Sequence, residues 1–343
     1  MTKILRFGDS GFSEKWDQLW YSVDSRYPLY SSASMAYYRE YSGVQGWDDI
    51  SFVICQGDLP VYGVLMALHK DGSGKNNVSA FGMPVYAIAR PELEMTRRGR
   101  EHKLLKAEIE RILCELAPAR VLFQDYFVCQ LSDLGDILLQ NGGVASPLFT
   151  QVVDLTVGEE MLRQGLTKSY KWCVNWGLKH LNLTVLDSNS MKMEDMESFR
   201  QLHIEVAGRE TRSLQSWALQ YEMVRRGEAF AVYGTIAGEL VTAALFVYSP
   251  TYCFYGVSAS KRTTQDKLLS HGVLWKAMLH ASSLGITQFE TGRQDYPRQG
   301  DPVPTSKELG ISSFKRGFGG DTFVYLSIVL DVPADHSFSV AVA

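Results

Sequence analysis

A ten-residue tract near the end of the chain, ISSFKRGFGG from Ile311 to Gly320, holds cations and aromatic residues at a spacing that could support a reaction. Lys315 and Arg316 lie between two phenylalanines and are followed by three glycines. A cation aimed at a carbonyl oxygen stabilises the negative charge that develops there when a nucleophile attacks. A phosphate-binding loop is a poorer interpretation, because such loops lead into a helix, whereas this tract leads into the predicted strand DTFVYLSIVL. An ordinary surface turn is the alternative, since cations before glycine are common in turns.

A second basic segment lies in the middle of the chain. No aspartate or glutamate occurs from Met161 to Leu186, although the segment carries four cations and three large aromatic residues: Arg163, Lys168, Lys171, Lys179, Tyr170, Trp172 and Trp176. This composition suits an anionic partner, phosphate above all, and it equally suits the solvated basic face of a helix. The tract from Thr305 to Gly320 is basic as well, and it adds Lys307 to the candidate cations.

Further polar side chains stand close to the ends of predicted elements, where α/β proteins often place ligand-binding groups. Trp217 with Arg212 could hold a sugar or nucleotide by stacking and hydrogen bonding, although each is as readily structural. Glu290 could accept a proton from an attacking amine, or it could form an ion pair with Arg293. The candidate substrate-binding residues are Lys168, Lys171, Arg209, Arg212, Trp217, Tyr255, Arg293 and Lys307.

Several catalytic signatures are incomplete or absent from the sequence. GVSAS at 256–260 has serine where a nucleophile elbow needs its second glycine. DGSGKNN at 71–77 lacks the upstream glycine and the serine or threonine of a phosphate loop, and no GxGxxG occurs. The seven histidines show neither HxxxH nor HExxH spacing, so we expect no metal site.

The composition indicates a globular chain of two domains. At 343 residues and 45% hydrophobic, the chain can bury two cores of usual domain size. A formal charge of −4 argues against a protein that coats nucleic acid, so DNA is not an expected partner. Cysteines without CxxC spacing, the lack of an apolar leader and the lack of a long apolar run predict a reduced, cytoplasmic protein without a transmembrane segment.

The two halves repeat one order of predicted elements. The first half has a hairpin at 51–68, the helix HKLLKAEIERILCEL and the strand ARVLFQDY. The second half has helices within 190–226, a hairpin at 228–248, the strand TYCFYGVSA, the helix KLLSHGVLWKAMLHASSLG and the strand ITQFETG. We therefore predict an α/β protein of two similar units, each a mixed, largely antiparallel sheet flanked by helices. Glycines and a proline at 141–147 place the division between residues 1–148 and 149–343.

The two basic segments, in this order on a duplicated unit, resemble the Fem family of peptidoglycan-bridge aminoacyltransferases, whose members are built from two GNAT-like domains. That family enters its second domain with a Leu-x-Lys-Ser-x-Arg/Lys segment, matched here by Leu166, Lys168, Ser169 and Lys171. It closes with an Ile-x-x-Phe-Lys-x-Gly-Phe-Gly-Gly tract, matched here from Ile311 to Gly320. The likeness covers residues 150–325 well and the first half mainly by pattern.

The resemblance implies transfer of an acyl or aminoacyl group from a thioester or a tRNA ester to an amine. It places Lys315 beside the reacting carbonyl and gives Phe314 a role in shaping the site, and Glu290 is the third catalytic candidate. A nucleophilic side chain is not required, because the acceptor amine attacks and positioning supplies much of the rate. The expected acceptor is an amine-bearing envelope precursor, such as a nucleotide-linked sugar or a peptidoglycan intermediate.

The donor stays open between acyl-CoA and aminoacyl-tRNA, each a co-substrate rather than a bound cofactor. Acyl-CoA-using GNAT proteins carry a Q/R-x-x-G-x-G/A loop, but the corresponding SKRTTQDKLLSH at 260–271 has Arg262 and no glycine. Several Fem proteins carry a helical arm for tRNA, and no coiled-coil heptads occur here. The alternatives are an N-acyltransferase that uses acyl-CoA or acyl-carrier protein on a small amine, and a non-catalytic nucleotide-sugar-binding module. No oligomeric state follows from the sequence.

Overall fold

The computed structural model describes residues 2–90, 99–126, 130–262, 266–300 and 302–332. The helices in these residues are α1 (Phe12–Ser22), α2 (Ser32–Tyr41), α3 (Arg100–Leu116), α4 (Asp133–Gln140), α5 (Gly158–Gly165), α6 (Lys168–His180), α7 (Met193–Ala207), α8 (Leu214–Arg225), α9 (Asp266–Ser283) and α10 (Ser306–Arg316). The strands are β1 (Thr2–Arg6), β2 (Asp48–Asp49), β3 (Phe52–Gln56), β4 (Leu59–Leu65), β5 (Ala67–Lys70), β6 (Asn76–Ser79), β7 (Tyr86–Ala89), β8 (Arg120–Asp125), β9 (Val144–Asp154), β10 (Asn182–Leu186), β11 (Ala229–Ile236), β12 (Glu239–Tyr248), β13 (Tyr252–Ser260), β14 (Gln288–Gln294) and β15 (Asp321–Asp331).

The chain divides into two compact units. The first holds the described residues up to Asp24, those from Ser42 to Leu148 and those from Tyr325 onward, and the second holds Ser25–Tyr41 and Phe149–Val324. A single division at 148/149 would place residues 25–41 and those after 324 in the opposite units. They lie where they do because α2 packs against α8 and Leu326–Asp331 pair with β8.

The first unit combines two groups of strands with α1, α3 and α4. Strands β1, β3, β4 and β7 form an antiparallel sheet in that order. The second half of β15 pairs with β8, which continues through β6 and β5 to β2, and only the β6–β8 pair is parallel. The predicted hairpin at 51–68 is confirmed as β3 and β4. The predicted helix is confirmed as α3, whose Leu105, Ile109 and Ile112 are buried.

The second unit has one mixed sheet in the order β10, β11, β12, β13, β14, β9. Every neighbouring pair is antiparallel except β13–β14. The predicted hairpin at 228–248 is confirmed, and it turns at Ala237 and Gly238, which both have positive φ. The core beneath this sheet includes Phe230 and Phe246 from the hairpin and Trp275 from α9. Both units therefore confirm the predicted class of mixed sheets flanked by helices.

Strands β13 and β14 are paired over only part of their length. The register runs from Tyr252 opposite Gln288 to Phe254 opposite Glu290. Beyond that point β13 continues beside β12 and β14 continues beside β9. The two parallel strands therefore part next to Glu290, and an opening between strands is a place where a substrate can reach main-chain and side-chain groups.

Two local features differ from the sequence prediction. Glycine and proline at 141–147 favoured a break in regular structure, but β9 begins at Val144 and continues to Asp154. An ordinary surface turn was the alternative interpretation of the tract that contains Lys315, but residues 306–316 form α10, which begins with a capping box between Thr305 and Glu308. Lys315 and Arg316 therefore lie in the last turn of a helix, which fixes their direction more firmly than a loop would.

Candidate active site

The Lys315 ammonium lies against β14 at Gly292. Its Nζ atom donates a hydrogen bond to the Arg293 carbonyl oxygen at 3.1 Å. A Cβ atom on Gly292 would lie 2.9 Å from Nζ, and Gly292 has φ of +102°, a conformation that favours glycine. The absent side chain therefore makes the space in which the ammonium sits, beside the point where β13 and β14 part.

Four aromatic rings surround the end of α10. Phe314 contacts Tyr170, His271 and Phe318 at ring-centroid distances of 6.1, 5.3 and 5.3 Å. Tyr170 also packs edge-to-face on His271 at 4.6 Å and on Phe318 at 5.1 Å. Burial raises the pKa of Tyr170 to about 12, so this phenol is neutral at physiological pH. The cluster fixes the helical turn that carries Lys315.

Gly317 of the glycine-rich tract has a packing role. A Cβ atom at this position would overlap the Tyr170 ring, so the main chain and the ring can approach only because the residue is glycine. The Thr167 amide donates a hydrogen bond to the Gly317 carbonyl oxygen at 3.2 Å. The tract is thereby attached to the first turn of α6, the element that carries Lys168 and Lys171.

Glu290 is buried, with 3% of its surface exposed, and its carboxyl group accepts three hydroxyl hydrogen bonds. Tyr252 donates to Oε2 at 2.6 Å, Tyr27 donates to Oε2 at 2.8 Å, and Thr150 donates to Oε1. Burial raises the pKa of Glu290, while the three hydroxyl groups and the Lys315 charge oppose that rise. The alternative ion pair with Arg293 is wrong, because the Arg293 guanidinium binds Asp295 at 2.8 Å.

Lys315 has the complementary electrostatic environment. Burial lowers the pKa of the Lys315 ammonium, and the Arg293 charge lowers it further, whereas the Glu290 and Asp295 carboxyl groups raise it. Neighbouring titratable groups whose pKa values are displaced from their ordinary ranges are typical of reaction sites. Glu290 and Lys315, two of the three predicted catalytic residues, therefore each affect the pKa of the other. The third, Phe314, directly precedes Lys315 in the sequence.

The two predicted lysines of α6 lie near this group but are more accessible. Lys168 is exposed at the first position of α6, and Lys171 is partly exposed one turn later. Tyr170, which stands between them in sequence, contacts Phe314 and Phe318. The first turn of α6 thus presents positive charge next to the aromatic cluster.

Trp217 and Arg212 do not form the predicted ligand-binding pair. Trp217 is 3% exposed and packs against Phe199 and His203, so the prediction that it stacks on a ligand is wrong. The Arg212 guanidinium donates to the Tyr37 hydroxyl at 3.1 Å and lies 5.0 Å from the centre of the Tyr41 ring. Trp217 therefore packs α8 against α7, while Arg212 holds α2 in the second unit.

The remaining predicted residues are spread over the second unit. Arg209 and Lys307 are exposed. The Tyr255 hydroxyl donates to Ser258 Oγ at 2.7 Å, and its ring stacks on Phe246. The region 260–271, compared above with a CoA-binding loop, lies partly outside the described residues, since 263–265 are not described.

The sequence reasoning missed residues that complete the Glu290 environment. Tyr252 and Thr150 stand on the strands that flank β14, so a correct strand order would have placed them beside Glu290. Tyr27 lies 263 residues from Glu290 in the chain, and no local pattern indicates the contact. Within the described residues, no group of histidine, cysteine, aspartate and glutamate could hold a metal ion. In the same part of the chain, no helix has both the length and the apolar character needed to cross a bilayer.

These two units define a tandem GNAT-like fold. The crystal structure of FemX is similar, with a TM-score of 0.68 over 94% of this chain and 96% of that one, at 12% sequence identity. The C-terminal domain of a putative lysylphosphatidylglycerol synthetase from Agrobacterium fabrum is similar with a TM-score of 0.57, at 13% identity and 92% coverage of each chain. A tandem GNAT protein from the clavulanic acid biosynthesis pathway gives 0.53, at 15% identity over 98% of this chain and 100% of that one. No protein-family model and no curated protein matches the sequence.

Proposed function

We propose that the protein is an acyltransferase that passes an acyl or aminoacyl group to an amino group of a cell-envelope or sugar-linked precursor. The observation that carries this proposal is the Lys315 ammonium, which lies over Gly292 where β13 and β14 part. The fold shared with FemX and with a tandem GNAT protein supports a transferase of this type. The matched tract from Ile311 to Gly320 supports the same site from sequence.

In the proposed reaction, the acceptor nitrogen attacks the carbonyl carbon of the donor. A C–N bond forms, and the carbonyl oxygen becomes an oxyanion that accepts a hydrogen bond from the Lys315 ammonium. The tetrahedral intermediate then expels the donor's oxygen or sulfur atom, which takes up the proton lost by the amine. An amide results, and no side chain of the protein forms a covalent intermediate.

The structure changes the role that we assign to Glu290. Direct removal of a proton from the acceptor needs a carboxylate oxygen within hydrogen-bonding reach of the amine. Glu290 is buried and its oxygens already accept three hydroxyl groups. We therefore assign Glu290 an electrostatic role toward Lys315, and the phenylalanine at 314 a role in holding the last turn of α10.

Lys168 and Lys171 are the proposed contacts for an anionic group of a substrate. Their exposure leaves both ammonium groups accessible, and their helix is joined to the Lys315 tract through Tyr170 and Gly317. A phosphate or pyrophosphate group fits a cluster of lysines at the start of a helix, where main-chain amides add positive potential. Nucleotide-linked sugars and CoA both carry such a group.

Ligand-dependent thermal stability tests the donor and the acceptor separately. The arms of the experiment are acetyl-CoA, an aminoacyl-tRNA mixture and UDP-linked amino sugars, each with wild-type protein and with the Lys168→Glu/Lys171→Glu variant. A ligand at about 100 times its Kd stabilises the fold by about 2.7 kcal/mol. A mass-spectrometric assay for amide formation follows for every pair that binds. Binding without amide formation by any pair would favour the non-catalytic module instead.

A further inference from the structure

Three hydroxyl groups donate hydrogen bonds to the Glu290 carboxyl group, and the charge of that group acts on the Lys315 ammonium. We propose that Tyr27, Tyr252 and Thr150 keep the buried Glu290 carboxyl group ionised, and that this negative charge in turn keeps Lys315 protonated over Gly292. Tyr27, Tyr252 and Thr150 are then positioning residues, and they set the pH range in which the Lys315 ammonium is available. The inference rests on the proposed function in one respect only, namely that the Lys315 ammonium stabilises the oxyanion.

The donors come from three separate elements. Thr150 stands on β9, Tyr252 begins β13, and Tyr27 lies in the N-terminal segment just before a 3₁₀ turn at Pro28–Tyr30. All three side chains are buried, with exposures of 3%, 7% and 8%. Folding therefore brings three hydroxyl groups from distant segments to one carboxyl group, and no secondary-structure element in the described residues depends on these contacts for its own hydrogen bonds.

Hydroxyl donors favour the ionised form of a carboxyl group. A carboxylate accepts hydrogen bonds at both oxygens, whereas a protonated carboxyl group must itself donate one. Three donated bonds oppose the effect of burial, which favours the neutral form. A buried carboxyl group is costly to ionise unless hydrogen bonds and a positive charge stabilise it. Here the hydrogen bonds come from the three hydroxyl groups, and the Lys315 charge also favours the ionised form.

The positive partner is Lys315, which depends on Glu290 in the same way. Burial and Arg293 favour loss of the Lys315 proton, whereas Glu290 and Asp295 favour its retention. Removal of one hydroxyl donor should raise the pKa of Glu290, so that the carboxyl group is neutral over more of the pH range. The pKa of Lys315 should then fall, because burial and Arg293 are opposed by Asp295 alone.

The pH dependence of lysine acetylation tests this coupling without any substrate. Wild-type protein and the Tyr27→Phe, Tyr252→Phe and Glu290→Gln variants are pulse-labelled with acetic anhydride from pH 6 to 11. Peptide mass spectrometry then gives the labelling midpoint of Lys315, with exposed Lys179 as the internal reference. Tyr233→Phe is the matched control, since its buried hydroxyl group donates to the Asp195 carbonyl oxygen at 2.7 Å, away from Glu290.

We expect the Lys315 midpoint to move to lower pH by about 0.5 in each Tyr→Phe variant and by more in Glu290→Gln, while Lys179 does not move. An unchanged Lys315 midpoint in folded Tyr27→Phe and Tyr252→Phe, or an equal shift in Tyr233→Phe, would overturn the inference. Circular dichroism checks that each variant is folded. If Glu290→Gln does not fold, the test depends on Tyr27→Phe and Tyr252→Phe alone. Because labelling measures no turnover, a wild-type protein without transfer activity would contradict the proposed function alone.

Discussion

The Lys315 ammonium lies against Gly292, at the place toward which a side chain at position 292 would project. The distance from Nζ to a Cβ atom at Gly292 would be 2.9 Å, and the positive φ of Gly292 adds backbone strain for any L-residue. This relationship connects β14 to the end of α10. It makes position 292 a direct test of whether the location of the ammonium matters.

Gly292→Ala should shift the Lys315 ammonium away from β14 and lower transfer activity. The added methyl group also lowers the free energy of unfolding, by about 1–2 kcal/mol from the positive φ alone. Gly285→Ala is the matched control, because Gly285 has φ of +82° and nothing lies within 4 Å of its Cβ position. Urea unfolding and the amide-formation assay, run on both variants, separate strain from displacement. Equal activity in the two variants would contradict a role for the ammonium at this place.

Lys315→Met keeps the length of the side chain and removes its charge. If the ammonium stabilises the oxyanion, kcat should fall by about 10²–10³ with little change in Tm. Lys179→Met, at an exposed position on α6, is the control for loss of one lysine. Wild-type turnover in Lys315→Met would leave the tract with a structural role only.

Charge reversal of Lys168 and Lys171 tests the anionic-substrate contact. The double Glu variant should raise KM and flatten the dependence of KM on salt concentration, because fewer screened charge contacts remain. Reversal of Lys179, near the other end of α6, should have a smaller effect. If the variant and the wild type have the same KM at every salt concentration, the lysines of α6 form a solvated basic face and do not contact the substrate.

Trp217→Ala tests the core role of this tryptophan against the original prediction of ligand stacking. A buried tryptophan replaced by alanine should cost about 3–5 kcal/mol of unfolding free energy. Trp172→Ala is the comparison, since Trp172 is 61% exposed and its loss should change stability by less than about 0.5 kcal/mol. The measurement is urea unfolding at constant pH. A small loss of stability with weaker binding of a nucleotide-linked sugar would restore the ligand role.

Local patterns were sufficient for the elements with strong periodicity. Leu105, Ile109 and Ile112 predicted α3, and the hairpin around Gly238 followed from the alternation of turn and strand residues. A capping signal, Thr305 with Glu308 three residues later, would have predicted α10 had it been given weight over the glycines that follow. These features depend on neighbours in sequence, so the sequence contains them directly.

The environment of the site could not be predicted in the same way. Trp217 with Arg212 was the predicted pair for a sugar or nucleotide, but the burial of Trp217 depends on its packing against Phe199 of α7, which is a tertiary property. The hydroxyl groups on Glu290 come from three distant segments, and strand order decides two of them. The sequence therefore shows which functional groups are present, but it does not show which of them come into contact in the folded protein.

The placement of residues 25–41 in the second unit also determines when that unit can be completed during synthesis. Tyr27 leaves the ribosome 263 residues ahead of Glu290. At roughly 5–20 residues per second, the segment waits about 13–53 s for its partner. Leu29, Tyr30 and Met35 are buried in the finished protein, and they lack their partners in α8, β12 and β13 for most of that interval. These apolar side chains are thus exposed to aggregation for that time, and the Glu290 site cannot form until β14 has been made.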